Sequence, residues 1–79
     1  MPSAERFLSV RVWPVRKWQG ATIGWLALEL MDGAWCMYYL DEHQKILSHR
    51  FCADLDDALR HADSEFQIKP DDWTEDRSH

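Results

Sequence analysis

Cysteine is scarce: Cys36 and Cys52 are the only two in the chain. Two thiols make no disulfide framework of the kind that staples small secreted domains. No apolar run reaches the ~18–20 residues of a membrane-spanning helix, and Glu29 with Asp32-Gly33 breaks the longest one. The opening MPSAERFLSVRVW lacks the basic start and continuous apolar segment of a signal peptide. These absences together lead us to expect a reduced, cytoplasmic protein. Bases are also few, nine Lys and Arg against fourteen Asp and Glu, for a net charge of −5. General binding to nucleic-acid backbones needs a basic stripe, which that balance opposes. There is no internal repeat or low-complexity tract, and no motif of nucleotide, metal or catalytic chemistry stands out.

What is present is apolar and aromatic. Hydrophobic residues make up 46% of the 79, among them five Trp, three Phe and two Tyr. That content suits one folded domain rather than a disordered chain. A domain this short buries only roughly 60% of its unfolded surface, so large aromatic rings help its core. Charge is uneven along the chain. Residues 1–20 hold four bases against one acid, a balance of +3, and residues 21–79 hold five bases against thirteen acids, −8. An acidic majority suits a partner with a basic surface.

The stretch Trp25–Leu40 reads W-L-A-L-E-L-M-D-G-A-W-C-M-Y-Y-L. Asp-Gly between two strand-like runs is a strong hairpin signal, because a type I′ turn needs φ > 0 at both central positions. It predicts strands over about 22–31 and 34–41, with Met31 opposite Ala34. One face then carries Leu26, Leu28, Leu30, Trp35, Met37 and Tyr39, and the other Trp25, Ala27, Glu29, Cys36, Tyr38 and Leu40. Both are largely apolar, so each is expected to be covered, by packing or by another chain. Before the hairpin, residues 1–5 read as a frayed end. Residues 7–13 alternate as a strand with Leu8, Val10 and Val12 on one side. Pro14 ends that strand or sits at a bulge, and 15–20 reads as a connecting loop. After it comes a fourth strand, about 45–51. Pairing Leu40 with Lys45 sets His49 beside Cys36 and Arg50 beside Trp35.

Leu55, Ala58, Leu59, Ala62 and Phe66 form one helical stripe, which predicts a helix over about 55–66. Asp54 is its expected N-cap, with Asp56 and Asp57 favoured by the helix dipole. We expect the helix on the sheet face of Ala27, Cys36, Tyr38 and Leu47, whose small members leave room. Lys69-Pro70 stops the helix, Pro70–Trp73 suits a short helical turn with Trp73 folding back on the core, and 74–79 reads as a solvated tail. The sum is an α+β domain: a four-stranded antiparallel β-meander packed by one C-terminal α-helix.

Candidate chemistry is thin. Cys36, His49, Cys52 and His61 are residue types that hold zinc, yet His61 lies well off the buried helix stripe. Cys36 beside His49 resembles a nucleophile and base, but mid-sheet they have no access to substrate. Carboxylate pairs at Asp56-Asp57, Asp71-Asp72 and Glu75-Asp76 read as wet rather than catalytic. No catalytic residue, metal or cofactor is therefore expected. Arg16, Lys17 and Trp18, with Trp13 nearby, suit base stacking and phosphate contact, or anchoring at a protein interface.

From Ala58 to Trp73 the chain reads A-L-R-H-A-D-S-E-F-Q-I-K-P-D-D-W. This resembles the C-terminal signature of small bacterial proteins in which a helix carrying A-L-x-x-A-x-x-E-F/Y-x-I/V closes a β-meander and a Trp follows. Several of these look like the immunity proteins found beside polymorphic or contact-dependent toxins. The resemblance spans residues 58–73 and implies a non-catalytic inhibitor of a cognate cytoplasmic toxin. From the charge balance and the aromatic stretch, not from the resemblance, its expected contacts are the acidic residues Asp57, Asp63, Asp71, Asp72 and Glu75, with Trp13, Arg16 and Trp18 as anchors. Two other readings stand beside it: a homodimeric structural or regulatory domain using the face of Trp35, Met37 and Tyr39, and a nucleic-acid-associated regulator using residues 11–18.

Overall fold

Asp32 and Gly33 take φ of 54° and 75°, the left-handed pair of a type I′ turn, so the chain reverses where Asp-Gly predicts it. The structure is a computed structural model and describes residues 6–76. The turn joins β2 (Ala21–Met31) to β3 (Ala34–Leu40), paired from Met31–Ala34 to Trp25–Leu40. With β1 (Arg6–Trp18), β4 (Ile46–Cys52), the helix α1 (Leu55–Phe66), a 3₁₀ turn (Pro70–Asp72) and β5 (Thr74–Asp76), it completes one antiparallel sheet in the order β4-β3-β2-β1-β5. The fold is α+β, and the helix follows the four main strands.

The N-terminal half departs from expectation. The loop expected over 15–20 is strand up to Trp18, closed by Gln19 and Gly20 at φ 49° and 83°. That is a second tight turn of the same left-handed kind, with Trp18 opposite Ala21. Of the two readings of Pro14 the structure has the bulge: β1 continues through it. Four residues, 12–15, stand between the paired positions Arg11 and Arg16, where β2 has only Gly24 between Ile23 and Trp25. The Trp13–Pro14 peptide is cis. The bulge still sends Val12 into the core, 2% exposed.

Helix α1 lies on the opposite face from the one expected. It covers Leu26, Leu28, Trp35, Met37 and Tyr39, which join Leu8, Val10, Val12, Ile23 and Cys52 in one buried cluster with Ala58, Ala62 and Phe66. The reason is β1. Leu8 pairs with Leu28 and Val10 with Leu26, and these two with Val12 fall on that side. Among the described residues the face holding Ala27, Cys36 and Tyr38 has no helix, and the dimer face expected at Trp35, Met37 and Tyr39 is the one that is covered. Asp54 caps the helix as expected, accepting from the Asp57 N–H at 2.8 Å, while Asp57 accepts from the Ala53 N–H at 3.2 Å. At the other end Gln67 adopts φ 56°, and the Gln67 and Ile68 N–H groups donate back to Asp63 and Ala62.

Strand β4 sits two positions from its expected register: Tyr38 faces His49, and Cys36 faces Phe51. From Ser48 to Cys52 a two-residue shift keeps every side chain on its face, while the bulge carries Ile46 to the face of Leu40. It nevertheless parts Cys36 from His49 and Arg50 from Trp35. The cation over Trp35 is instead Arg6, 5.6 Å from the ring centre. The shift arises because the β3–β4 link is longer than a tight turn. Asp41 organises it, its Oδ1 accepting from the N–H groups of His43 (2.8 Å) and Lys45 (2.9 Å). Residues 74–76, expected in the tail, form β5 against Phe7–Ser9. The frayed end expected over 1–5 and the tail residues 77–79 lie outside the described residues.

Two consequences are measurable. A Cβ on Gly24 would stand 2.8 Å from Glu42 Cα and 3.0 Å from its nitrogen, both backbone. Gly24→Ala therefore pushes the β3–β4 link outward, and urea unfolding should show a loss of about 1–3 kcal/mol. The Lys45 N–H, and after it the His43 N–H, hold the Asp41 carboxyl below its usual range. A depressed folded pKa favours the folded state fully above the unfolded value near ~3.9, and that contribution is lost as pH falls through the folded value. Unfolding midpoints taken below pH ~4 should fall for the native chain and flatten for Asp41→Asn.

Candidate protein-interaction surface

Among the described residues, three of the four large hydrophobics left exposed belong to β4: Ile46 at 56%, Leu47 at 42% and Phe51 at 75%. Pairing explains why. Phe51 opposes Cys36 and His49 opposes Tyr38 on the face without a helix, and Leu47 is the extra residue of a bulge opposite Leu40. Tyr38, His49 and Phe51 form a row, their rings 6.2 and 5.8 Å apart. Trp25, Leu40 and Phe7 extend this uncovered face across β2, β3 and β1, all half-buried. Its acid, Glu29, accepts a 2.9 Å hydrogen bond from the Tyr38 hydroxyl. That bond, and then burial, raise the Tyr38 pKa, so the phenol stays a donor. Single exposed apolar residues are ordinary, but a contiguous aromatic and aliphatic patch marks a contact surface.

Charge on β4 is turned inward. Arg50 Nη1 lies 3.3 Å from Glu65 Oε2 on the helix and 3.4 Å from the Tyr39 hydroxyl, which itself donates to Glu65 Oε1 at 3.2 Å. Trp18 stacks on Tyr39 at 4.1 Å and 14°. Burial raises the Tyr39 pKa, partly offset by Arg50. This network ties β3, β4 and α1 together at the end of the core.

A second feature is a groove of about 720 Å³ beside the β1 bulge. Arg11, Trp13, Arg16, Trp25, Gln67 and Asp72 are among the residues lining it. Trp13 is 71% exposed, with the Arg11 guanidinium 4.8 Å from its ring centre. The Arg16 Nη1 donates to Gln67 Oε1.

Among the residues expected to meet a partner, the structure brings Trp13, Arg16 and Asp72 to this one groove. Trp18 is not beside them: it packs half-buried against Tyr39. The acids are spread over the helix, the 3₁₀ turn and β5. Asp57 lies 3.5 Å from His61 and 3.8 Å from Arg60. Asp63 pairs with Lys69 at 2.8 Å, and Asp72 accepts from the Lys69 N–H at 2.9 Å. Glu75 holds Arg6 through two 2.9 Å bonds, which raise the Arg6 pKa. Asp71 is exposed. Basic and aromatic residues 11–18 form no single stacking platform, since Arg11, Arg16 and Trp18 each engage a neighbour within the chain.

Cys36 and Cys52 carry free thiols on opposite faces, one opposite Phe51 and the other opposite Trp35. His61 is on the helix beside Asp57. The four residue types considered for zinc are therefore not gathered. Among the described residues no three His, Cys, Asp or Glu side chains group to hold a metal ion, and no helix is long and apolar enough to cross a membrane.

Sequence reasoning did not single out Ile46, Leu47, Tyr38 and Phe51 as surface. The signal was the alternation of β4, where Leu47, His49 and Phe51 oppose Ser48, Arg50 and Cys52. No protein-family model matches the chain, nor does any curated protein or solved structure.

Removing the Tyr39 hydroxyl tests the network that turns Arg50 inward. Tyr39→Phe keeps the ring on Trp18 but leaves Glu65 and Arg50 short of a partner. Chemical denaturation should show a loss of about 1 kcal/mol, with near-ultraviolet circular dichroism retained.

Proposed function

We propose that this chain is a non-catalytic protein-binding domain whose working surface is the uncovered sheet face, with β4 at its margin. One observation carries the reading: Tyr38, His49 and Phe51 form a row of rings on the face without a helix, and the same strand leaves Ile46 and Leu47 exposed. Aromatic residues held in place by neighbours lose little freedom on docking, which favours them as contact anchors. The face carries little formal charge, Glu29 being engaged by Tyr38 and Arg11 lying over Trp13.

The narrower reading is an immunity-type inhibitor of a cytoplasmic toxin. Its support is the A-L-x-x-A-x-x-E-F helix signature and the −8 balance of residues 21–79. Asp57, Asp63, Asp72 and Glu75 already have contacts within the chain. A basic partner would have to exchange those contacts for its own, so the apolar face supplies the affinity and the acids the approach.

Immobilised chain, incubated with extract of its native cytoplasm, separates the two contributions. Leu47→Lys with Phe51→Lys should abolish capture. Asp71→Asn with Glu75→Gln should leave it but weaken its dependence on salt. Capture that survives the β4 pair and is lost with the acidic pair would overturn the face as the working surface.

A further inference from the structure

We infer that the partner of the β4 margin is a second copy of this chain, two β4 strands pairing antiparallel about a two-fold axis at His49. The inference rests on the reading of the uncovered face as a binding surface and names its occupant.

The two edges of the sheet differ in kind. At one edge β5 is three residues long and reads Thr-Glu-Asp, and beyond it β1 is broken by the bulge at 12–15 with its Pro14. Short strands, charges, proline and bulges are what keep an edge from pairing with another chain. Along Ser48–Cys52 strand β4 has no Pro, no bulge and no acid, and a single base. Its bulge is confined to Ile46 and Leu47, at the start. Its one formally charged side chain, Arg50, is held at Glu65 and Tyr39 on the helix side. Two chains of net charge −5 repel each other over most of their surfaces. At β4 they meet without an acid on either strand.

Register selects the axis. Centring on His49 sets Ser48 against Arg50 of the other copy and brings Leu47, at the bulge, beside the other copy's Phe51. Apolar then meets apolar on the uncovered face, where cross-strand neighbours interact most strongly. Centring on Arg50 would place two guanidinium groups opposite each other and Leu47 against Ala53. Centring on Ser48 would set Ile46 against Arg50 and Phe51 against Lys45. With the axis at His49 both helices stay on one side of the joined sheet, and the two uncovered faces become one surface. An isologous contact of this kind closes at two copies, since each chain has a single β4 edge.

Sedimentation velocity on the purified full chain tests this. As concentration rises, the weight-average mass should climb from 9.4 kDa to about twice that value. His49→Lys places two cations at the axis, and Phe51→Lys removes the apolar pair. Each should hold the mass at one chain, with the thermal midpoint at high dilution unchanged. On the unaltered chain, hydrogen exchange at 46–52 should slow with concentration while exchange in β5 does not. One-chain mass at every concentration overturns the inference, and so does a dimer that both substitutions leave intact. If a monomer still captures a different protein through Leu47 and Phe51, only the second copy is wrong. A monomer that captures nothing overturns the face reading as well.

Discussion

A sheet has two faces, and this chain supplies one helix of twelve residues among those described. Everything else in the structure answers that shortage. Ala58 and Ala62, both fully buried, bring the helix axis close to the strands, so the long side chains of one face can close over it. Leu26, Leu28 and Met37 are completely buried there. Trp73, beyond the 3₁₀ turn, adds to the rim of the same cluster. The opposite face has to manage with what its own strands provide. Tyr38 covers Cys36 and Ala27 from the side and hands its hydroxyl to Glu29. Arg11 lies over Trp13, and His49 sits edge-on to Phe51. These contacts shield the small residues Ala27 and Cys36, which are buried, but they leave Phe51 and Leu47 in water.

Polar chemistry follows the same division. On the covered side the polar groups of Tyr39, Arg50 and Glu65 form a closed set at the margin of the core, with Trp18 laid flat on Tyr39. Such a set fixes where the helix sits relative to β4, because the three side chains come from three elements. It also decides the chemistry of the edge. With Arg50 drawn to the helix side, what β4 shows on its other side is Leu47, His49 and Phe51. The packing of the core and the character of the exposed margin are thus two results of one arrangement.

Much of this was legible in the residues. Asp32-Gly33 needs φ > 0 twice, and few sequences ask for that except at a two-residue reversal, so the β2–β3 register followed at once. The helix bounds and the Asp54 cap were equally plain, since a polar cap, acids in the first turn and an apolar stripe all agree. The helix-covered face was not read correctly, although the information was present. Leu8, Val10 and Val12 align with Leu26 and Leu28 only if β1 and β2 form a hairpin, and Pro14 disguised that hairpin as a loop. A proline breaks a regular ladder, and a four-against-one bulge around Gly24 is a way to keep the ladder on both sides of it. Gln19-Gly20 is a weaker turn signal than Asp-Gly, yet Gln19 takes φ 49° because the strands on either side hold it there. The β4 register failed for a related reason. Asp41 binds two backbone N–H groups beyond it, and that local motif lengthens the link by more than strand pattern reveals. The candidate surface follows from both differences: with the faces exchanged, Leu47 reads as a residue under the helix.

Electrostatics completes the asymmetry. The acids are numerous, but the side chains of Asp54, Asp57, Asp63, Asp72 and Glu75 each accept a hydrogen bond or face a base within the chain. Their local work is to cap, to anchor the 3₁₀ turn and to fasten β5 to the N-terminal strand. Their summed field still extends a Debye length, about 8 Å at physiological salt, from the surface. That field disfavours any anionic approach to the helix end, the 3₁₀ turn and the β5 edge. Within β4 itself residues 46–52 contain no acid, and the nearest acids act at its ends, as Asp57 and Asp54 do on Cys52. A neutral apolar strand within an otherwise repelling surface restricts where a second acidic molecule can land. For a chain this small, selectivity of docking can therefore come as much from where the acids are placed as from the contacts that β4 makes.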